Sequence, residues 1–218
     1  MRRLWLIVNR LLVLVLLTSS ASGATVHGGA ATFYESRGEI GACGRPQPTL
    51  HVAVSPVDFA GSVLCGAYLE VRRSGRAPVI VEVTNLCPEC PPGNLDLSPA
   101  AFDGLGARSD GRIAVTWRIV PGAVRGPVSI QIKDGSNPYW VAIQVRNHRY
   151  PIKTLEARRG NAWRRLGRTA YGYFLAQKGL GGGPFTLRIT DTRGHRIVEK
   201  NIELDPGRTV PGHRQFPA

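Results

Sequence analysis

The chain is poor in acid, in aromatics and in long apolar runs. It has 15 Asp and Glu against 28 Lys and Arg, a formal charge of +13. A chain so short of carboxylates favours anionic surfaces, with acidic wall polymers and nucleic acid as the candidates. Nucleic acid is disfavoured, because no recognised binding motif is present and the basic residues are spread along the chain. Only the N-terminus carries an apolar run long enough to enter a membrane. Beyond Cys87 and Cys90 there is no second closely spaced cysteine pair, which argues against a four-cysteine zinc site. The Pro91-Pro92 that follows Cys90 argues against a thioredoxin-like redox site, which would open a helix there. There is no internal repeat and no low-complexity tract.

The N-terminal run has the form of a secretory signal. Met1-Arg2-Arg3 precedes an apolar stretch to Leu17, and Ala21-Ser22-Gly23 supplies small residues for cleavage. A membrane anchor is the rival reading, but the stretch after Arg10 is short for a span. Residues 1–24 are therefore set apart, and no membrane association is expected after their removal. Secretion makes disulfides the default for Cys43, Cys65, Cys87 and Cys90, with three pairings open.

The 218 residues suit two domains of about 100 each. Short apolar runs and Gly/Pro turns dominate. Val52-Ala53-Val54, Tyr68-Leu69-Glu70-Val71 and Val79-Ile80-Val81-Glu82-Val83 read as strands. Ile113, Val115, Trp117 and Ile119 alternate with Ala114, Thr116 and Arg118. Together with one short helix, this pattern predicts a small closed barrel over residues 25–121. Residues 122–127 form a Pro/Gly-rich linker, short enough to keep the two domains close. Residues 128–218 alternate throughout and predict an all-β sandwich. Val141, Ile143 and Val145 take the core face there, so parity turns Trp140, Ala142 and Gln144 to solvent. Tyr139 has core parity unless Pro138 makes the strand start irregular.

One stretch organises the barrel. The Val79 run ends in Thr84-Asn85-Leu86-Cys87-Pro88-Glu89-Cys90-Pro91-Pro92, a loop pinned by prolines and cysteines. Leu95-Asp96-Leu97 follows, and then Ser98-Pro99, which fits a helix N-cap and first helical position. A carboxylate between two leucines is either a local cap, an arginine partner or a functional acid in a groove.

Leu95-Asp96-Leu97-Ser98-Pro99-Ala100-Ala101-Phe102 resembles the first-domain signature of bacterial expansins, the wall-loosening proteins. Ile132-Lys133-Asp134-Gly135-Ser136, Tyr139 through Pro151 and Thr209 through Pro217 are similar to the cellulose-binding second domain of that family. The resemblance implies a double-psi β-barrel followed by an Ig-like β-sandwich. It implies paired Cys43–Cys65, with Cys87–Cys90 joined to each other. It also implies groove residues at Thr32, Asn85 and Asp96, with Tyr34 nearby, and an aromatic strip of Tyr139, Trp140 and Tyr171 beside Lys133. Asn85 stands where the family usually has Asp, and Cys87 where it has Tyr.

Glycoside hydrolysis needs two carboxylates flanking the bond. Asp96 can be one. Asn85 cannot be the other, and nothing in the sequence sets Glu35, Asp58 or Glu89 opposite Asp96. The expectation is a secreted, monomeric, non-hydrolytic protein with no cofactor and no metal. It binds cellulose and matrix polysaccharides, acidic pectin among them, and loosens plant-type walls. A lytic transglycosylase or endoglucanase using Asp96 as acid/base is the alternative.

Overall fold

Alternating apolar residues close the first half of the chain into a six-stranded barrel. The computed structural model describes residues 25–218; the signal read on residues 1–24 lies outside the described residues. The strands are β1 (His27–Phe33), β2 (His51–Val54), β3 (Tyr68–Arg72), β4 (Val79–Leu86), β5 (Leu95–Leu97) and β6 (Ile113–Val120). Their order around the barrel is β1-β5-β2-β4-β3-β6. β1 with β5, and β2 with β4, run parallel, while the other pairs are antiparallel. Ala31, Val52, Val54, Leu69, Val71, Val81, Val83, Leu95, Leu97, Ile113, Val115 and Trp117 point inward and are buried together. Ile119, expected in that row, is half-buried at the end of β6.

Two elements of the barrel are among those that escaped the sequence reading. β1 is made of small residues because it passes tightly over the loop before β5: a Cβ on Gly29 would lie 2.3 Å from the Gly93 carbonyl oxygen. A first helix, α1 (Pro56–Phe59), has its own Ser-Pro start, with Ser55 Oγ accepting the Asp58 N–H. The expected helix is α2 (Pro99–Asp103). Ser98 Oγ accepts the Ala101 N–H, Pro99 opens the helix and Gly104 ends it.

The second half is a sandwich of two sheets. One has the order β10-β9-β13-β14, formed by β9 (Ile152–Arg159), β10 (Ala162–Arg165), β13 (Phe185–Asp191) and β14 (Arg196–Ile202). The other has the order β11-β12-β8-β7-β15, formed by β7 (Ser129–Ile132), β8 (Val141–Arg146), β11 (Gly167–Arg168), β12 (Phe174–Ala176) and β15 (Thr209–Pro211). Ile130, Ile132, Val141 and Ile143 of one sheet bury against Leu155, Leu187, Ile189 and Ile197 of the other.

The parity expectation for β8 needs correction. Ala142 and Gln144 lie on the face opposite the core, as alternation requires, but both are buried. Gln144 meets the barrel: its Nε2 donates to the Cys43 carbonyl at 2.7 Å and to that of Gly172 at 3.4 Å. Other bonds join the halves. Ser62 Oγ donates to the Thr169 carbonyl at 2.7 Å, and Arg168 to the Ser62 carbonyl at 3.3 Å. The buried His148 lies so close to Gly66 that a Cβ there would be 2.7 Å from its Nε2.

All four cysteines are oxidised, as Cys43–Cys65 and Cys87–Cys90. The pairing implied by the resemblance is the one observed, and no thiolate remains for zinc.

Candidate functional site

Strand register assembles the groove. Thr32 on β1 stands opposite Asp96 on β5, Asp96 opposite Ala53 on β2, and Ala53 opposite Asn85 on β4. Residues opposite one another share a face, so these four form a row across four strands. The row lies outside the barrel, because its neighbours Ala31, Leu95, Leu97, Val52 and Val54 fill the core. Ala53 has the smallest side chain in the row and is buried.

Asn85 reaches that face through an irregularity. Simple alternation along β4 would place it inward with Val81 and Val83. The register instead pairs Val52 with Val83 and Ala53 with Asn85, leaving Thr84 as an extra residue. This bulge reverses the parity and turns Asn85 outward.

The two polar residues are held differently. Asp96 Oδ1 accepts the Thr32 hydroxyl at 2.6 Å. Among the described residues no arginine pairs with it, so it is not an arginine's ion-pair partner there. Burial pushes the Asp96 carboxyl above its ordinary value, the Thr32 bond pulls it back, and the Glu89 charge raises it further. Asn85 is a structural tie. Its Oδ1 accepts the N–H groups of Ala42 at 2.8 Å and Leu86 at 3.0 Å, and its Nδ2 donates to the Tyr34 hydroxyl at 3.3 Å. Tyr34 in turn donates to Gln47 Oε1, which also accepts the Thr84 hydroxyl at 3.1 Å. Gln47 was missed by sequence reasoning, since its partners are brought to it only by the barrel.

Glu89 is the larger miss. It lines a cleft of about 170 Å³ together with Thr32, Asn94, Asp96, Arg112 and the Cys87–Cys90 ring. A usable signal existed: a disulfide between Cys87 and Cys90 confines Glu89 to a loop leading into β5. Asp58 and Glu35 are elsewhere. Asp58 accepts the Ser55 hydroxyl and the Gly93 N–H, and Glu35 is an exposed partner of Arg108.

The strip residues lie on the sandwich. Tyr139 and Trp140 precede β8 in a tight turn, where Asn137 Oδ1 accepts both of their N–H groups at 3.0 and 3.2 Å. Strand parity therefore does not govern them, and the irregular start allowed for at Pro138 is what occurs. Tyr139 is the most exposed large hydrophobic residue described, at 83%, whereas Trp140 is half-buried. Tyr171 is 37% exposed and lies at the other end of the β8–β12 pair, its ring tilted against Tyr173. Lys133 is half-buried, and its N–H bonds the Ala142 carbonyl.

The Ala42-Cys43-Gly44 segment joins the two regions. Ala42 bonds Asn85 of the groove, Cys43 bonds Gln144 beneath the strip, and a Cβ on Gly44 would touch the Tyr171 carbonyl at 3.2 Å.

Comparison with known proteins follows the same division. A family model described as lytic transglycolase matches residues 26–117, the barrel. Expansin-YoaJ of Bacillus subtilis is 37% identical over 212 residues, covering 91% of this chain and 90% of that protein. The chain belongs to the expansin family. Expansin-like protein 3 of Dictyostelium discoideum is 30% identical, covering 89% of this chain and 62% of that protein. The solved apo expansin of Clavibacter michiganensis superposes with a TM-score of 0.84 at 32% identity, over 89% of this chain and 99% of that one. A point mutant of the Clavibacter expansin, solved in complex with cellohexaose, also gives a TM-score of 0.84, at 30% identity and over the same shares of the two chains. The barrel is thus the double-psi β-barrel of an expansin, followed by the family's sandwich.

Proposed function

We propose that this expansin is secreted, binds cellulose, and loosens plant-type walls by disrupting polysaccharide contacts without cutting them. The observation that carries the reading is the register row of Thr32, Asp96 and Asn85 on the barrel, with the Ala42-Cys43-Gly44 segment running from Asn85 to Tyr171 of the strip. An extended glucan chain is the ligand that suits such a surface. Sugar rings present C–H faces at regular spacing, and a row of aromatics covers them without a deep pocket. A relative's complex with cellohexaose supports the same ligand class. Thr32, Tyr34, Asn85 and Asp96 hold the chain on the barrel, and Tyr139, Trp140 and Tyr171 on the sandwich. Lys133 and the general positive charge add attraction to acidic pectin, which salt weakens.

The non-hydrolytic part rests on Asn85. Its amide is committed to two backbone N–H groups and a phenol, and it cannot relay a proton. The second reading, a lytic transglycosylase, is favoured by the barrel's family match and by the raised proton affinity of Asp96, which suits a single acid/base. Assays of the purified protein on cellulose and on peptidoglycan, scoring binding, mechanical weakening and released sugar separately, distinguish the two. Weakening without soluble product on cellulose is expected. Soluble product well above an Asp96→Asn background would overturn the non-hydrolytic reading.

A further inference from the structure

The geometry points to Glu89 as a second sugar-binding carboxylate beside Asp96, held on the wall of the same cleft by the Cys87–Cys90 ring, so that the pair offers a sugar one hydrogen-bond donor and one acceptor. This rests on the groove reading above and names the carboxyl partner it lacked. Three features support it. Glu89 and Asp96 line one small cleft, and of these two carboxyls only Asp96 has a hydrogen-bond partner among the described residues. Glu89 is exposed and free to turn toward a ligand, whereas Asp96 is half-buried. Glu89 sits between two disulfide-linked cysteines and ahead of Pro91 and Pro92, so its backbone is confined without any bond from its own side chain.

Two carboxyls so placed resist being ionised together. The proton belongs on Asp96, whose carboxyl is raised by burial and by the Glu89 charge. Asp96 Oδ1 is occupied by the Thr32 hydroxyl, which leaves Oδ2 to carry the proton and donate it to a ligand oxygen. Glu89, exposed and without a side-chain partner among the described residues, accepts from a hydroxyl. An ionised carboxylate only accepts, so the donor role falls to protonated Asp96. The other charged and titratable groups around Asp96 are Arg112, exposed ahead of β6, and Tyr34, just past the end of β1. The arrangement adds a pH dependence to groove binding: the donor is present at acid pH and disappears as pH rises through the Asp96 titration.

The test is the titration of Asp96 followed by carboxyl NMR on the intact protein, in wild type, Glu89→Gln, Cys87→Ser/Cys90→Ser and Glu35→Gln. Glu89→Gln removes the repelling charge and moves the Asp96 midpoint to lower pH. Opening the ring releases Glu89 and moves it in the same direction, while Glu35→Gln, which alters an exposed carboxylate paired with Arg108, leaves it in place. At the acid end, Glu89→Gln weakens the cellohexaose-induced perturbation of Thr32 and Asn94 roughly threefold to tenfold, the worth of one hydrogen bond. An Asp96 midpoint unmoved in Glu89→Gln, or moved equally by Glu35→Gln, overturns the inference whatever cellohexaose does. A midpoint that moves as expected while cellohexaose leaves the cleft unperturbed overturns the groove reading and leaves the carboxyl pairing standing.

Discussion

The groove and the strip hold their side chains in opposite ways. In the groove, Thr32, Tyr34, Asn85 and Asp96 are each bonded to other parts of the barrel, and Asn85 makes three such bonds. On the strip, Tyr139 is almost wholly exposed, and its turn is held by the backbone and Asn137 rather than by its ring. On the proposed reading a groove residue serves the fold and the ligand together, while Tyr139 can be removed at little cost to folding. Polar recognition needs fixed directions, which packing supplies. Stacking on a flat surface needs area, which exposure supplies.

The largest expected effect is on the groove. Asp96→Asn reduces wall loosening to background in a mechanical extension assay and leaves cellulose pull-down nearly intact. Equal loss of both would break the division of labour.

Next come two changes where the halves meet. Removing Cys43–Cys65 costs roughly 3 kcal/mol of unfolding free energy in the chain-entropy model, against about 2 kcal/mol for the much shorter Cys87–Cys90 loop. Denaturant titration of the two double variants checks the order. His148 is the other. Burial, with the charges of Arg45 and Arg168, lowers its pKa from 6.5 to about 4. Between those values the unfolded chain binds more protons than the fold. The stability from keeping His148 neutral is thus present above 6.5 and lost as pH falls to about 4, by roughly 3 kcal/mol. The raised carboxyls of Glu82 and Asp96 act oppositely, losing stability as pH rises through the acid range. Comparing wild type with His148→Gln removes their contribution. An unchanged slope would show that His148 does not couple pH to the fold.

Smaller effects separate the two regions most cleanly. Asn85→Ala leaves the Ala42 and Leu86 N–H groups without their partner and costs about 1–3 kcal/mol of stability. Tyr139→Ala weakens cellulose binding by about 1–3 kcal/mol, by analogy with bases stacked on aromatics, while stability stays within about 0.5 kcal/mol. Trp140→Ala costs similar affinity but more stability, since its ring is half-buried. Destabilisation by Tyr139→Ala as large as that by Asn85→Ala would break the comparison. Lys133→Gln is the smallest, with a loss of at most about 1 kcal/mol that vanishes at high salt.

Local rules decided much of this protein in advance. Alternation placed Ile113, Val115 and Trp117 inward, and Ser98-Pro99 started α2. These features depend on neighbours within a few residues, and the side-chain period of a strand is two wherever the strand lies. What sequence could not reach depends on partners far along the chain. Gln144 has an outward parity but is buried, because Cys43, 101 residues away, covers it. Tyr139 escapes its parity because the strand starts after it. Glu89 and Asp96 come to line one cleft only through the Cys87–Cys90 ring and the parallel pairing of β1 with β5. Asn85 faces the groove for a single reason, the extra residue at Thr84, which a strand accommodates only when its neighbour's register is already set.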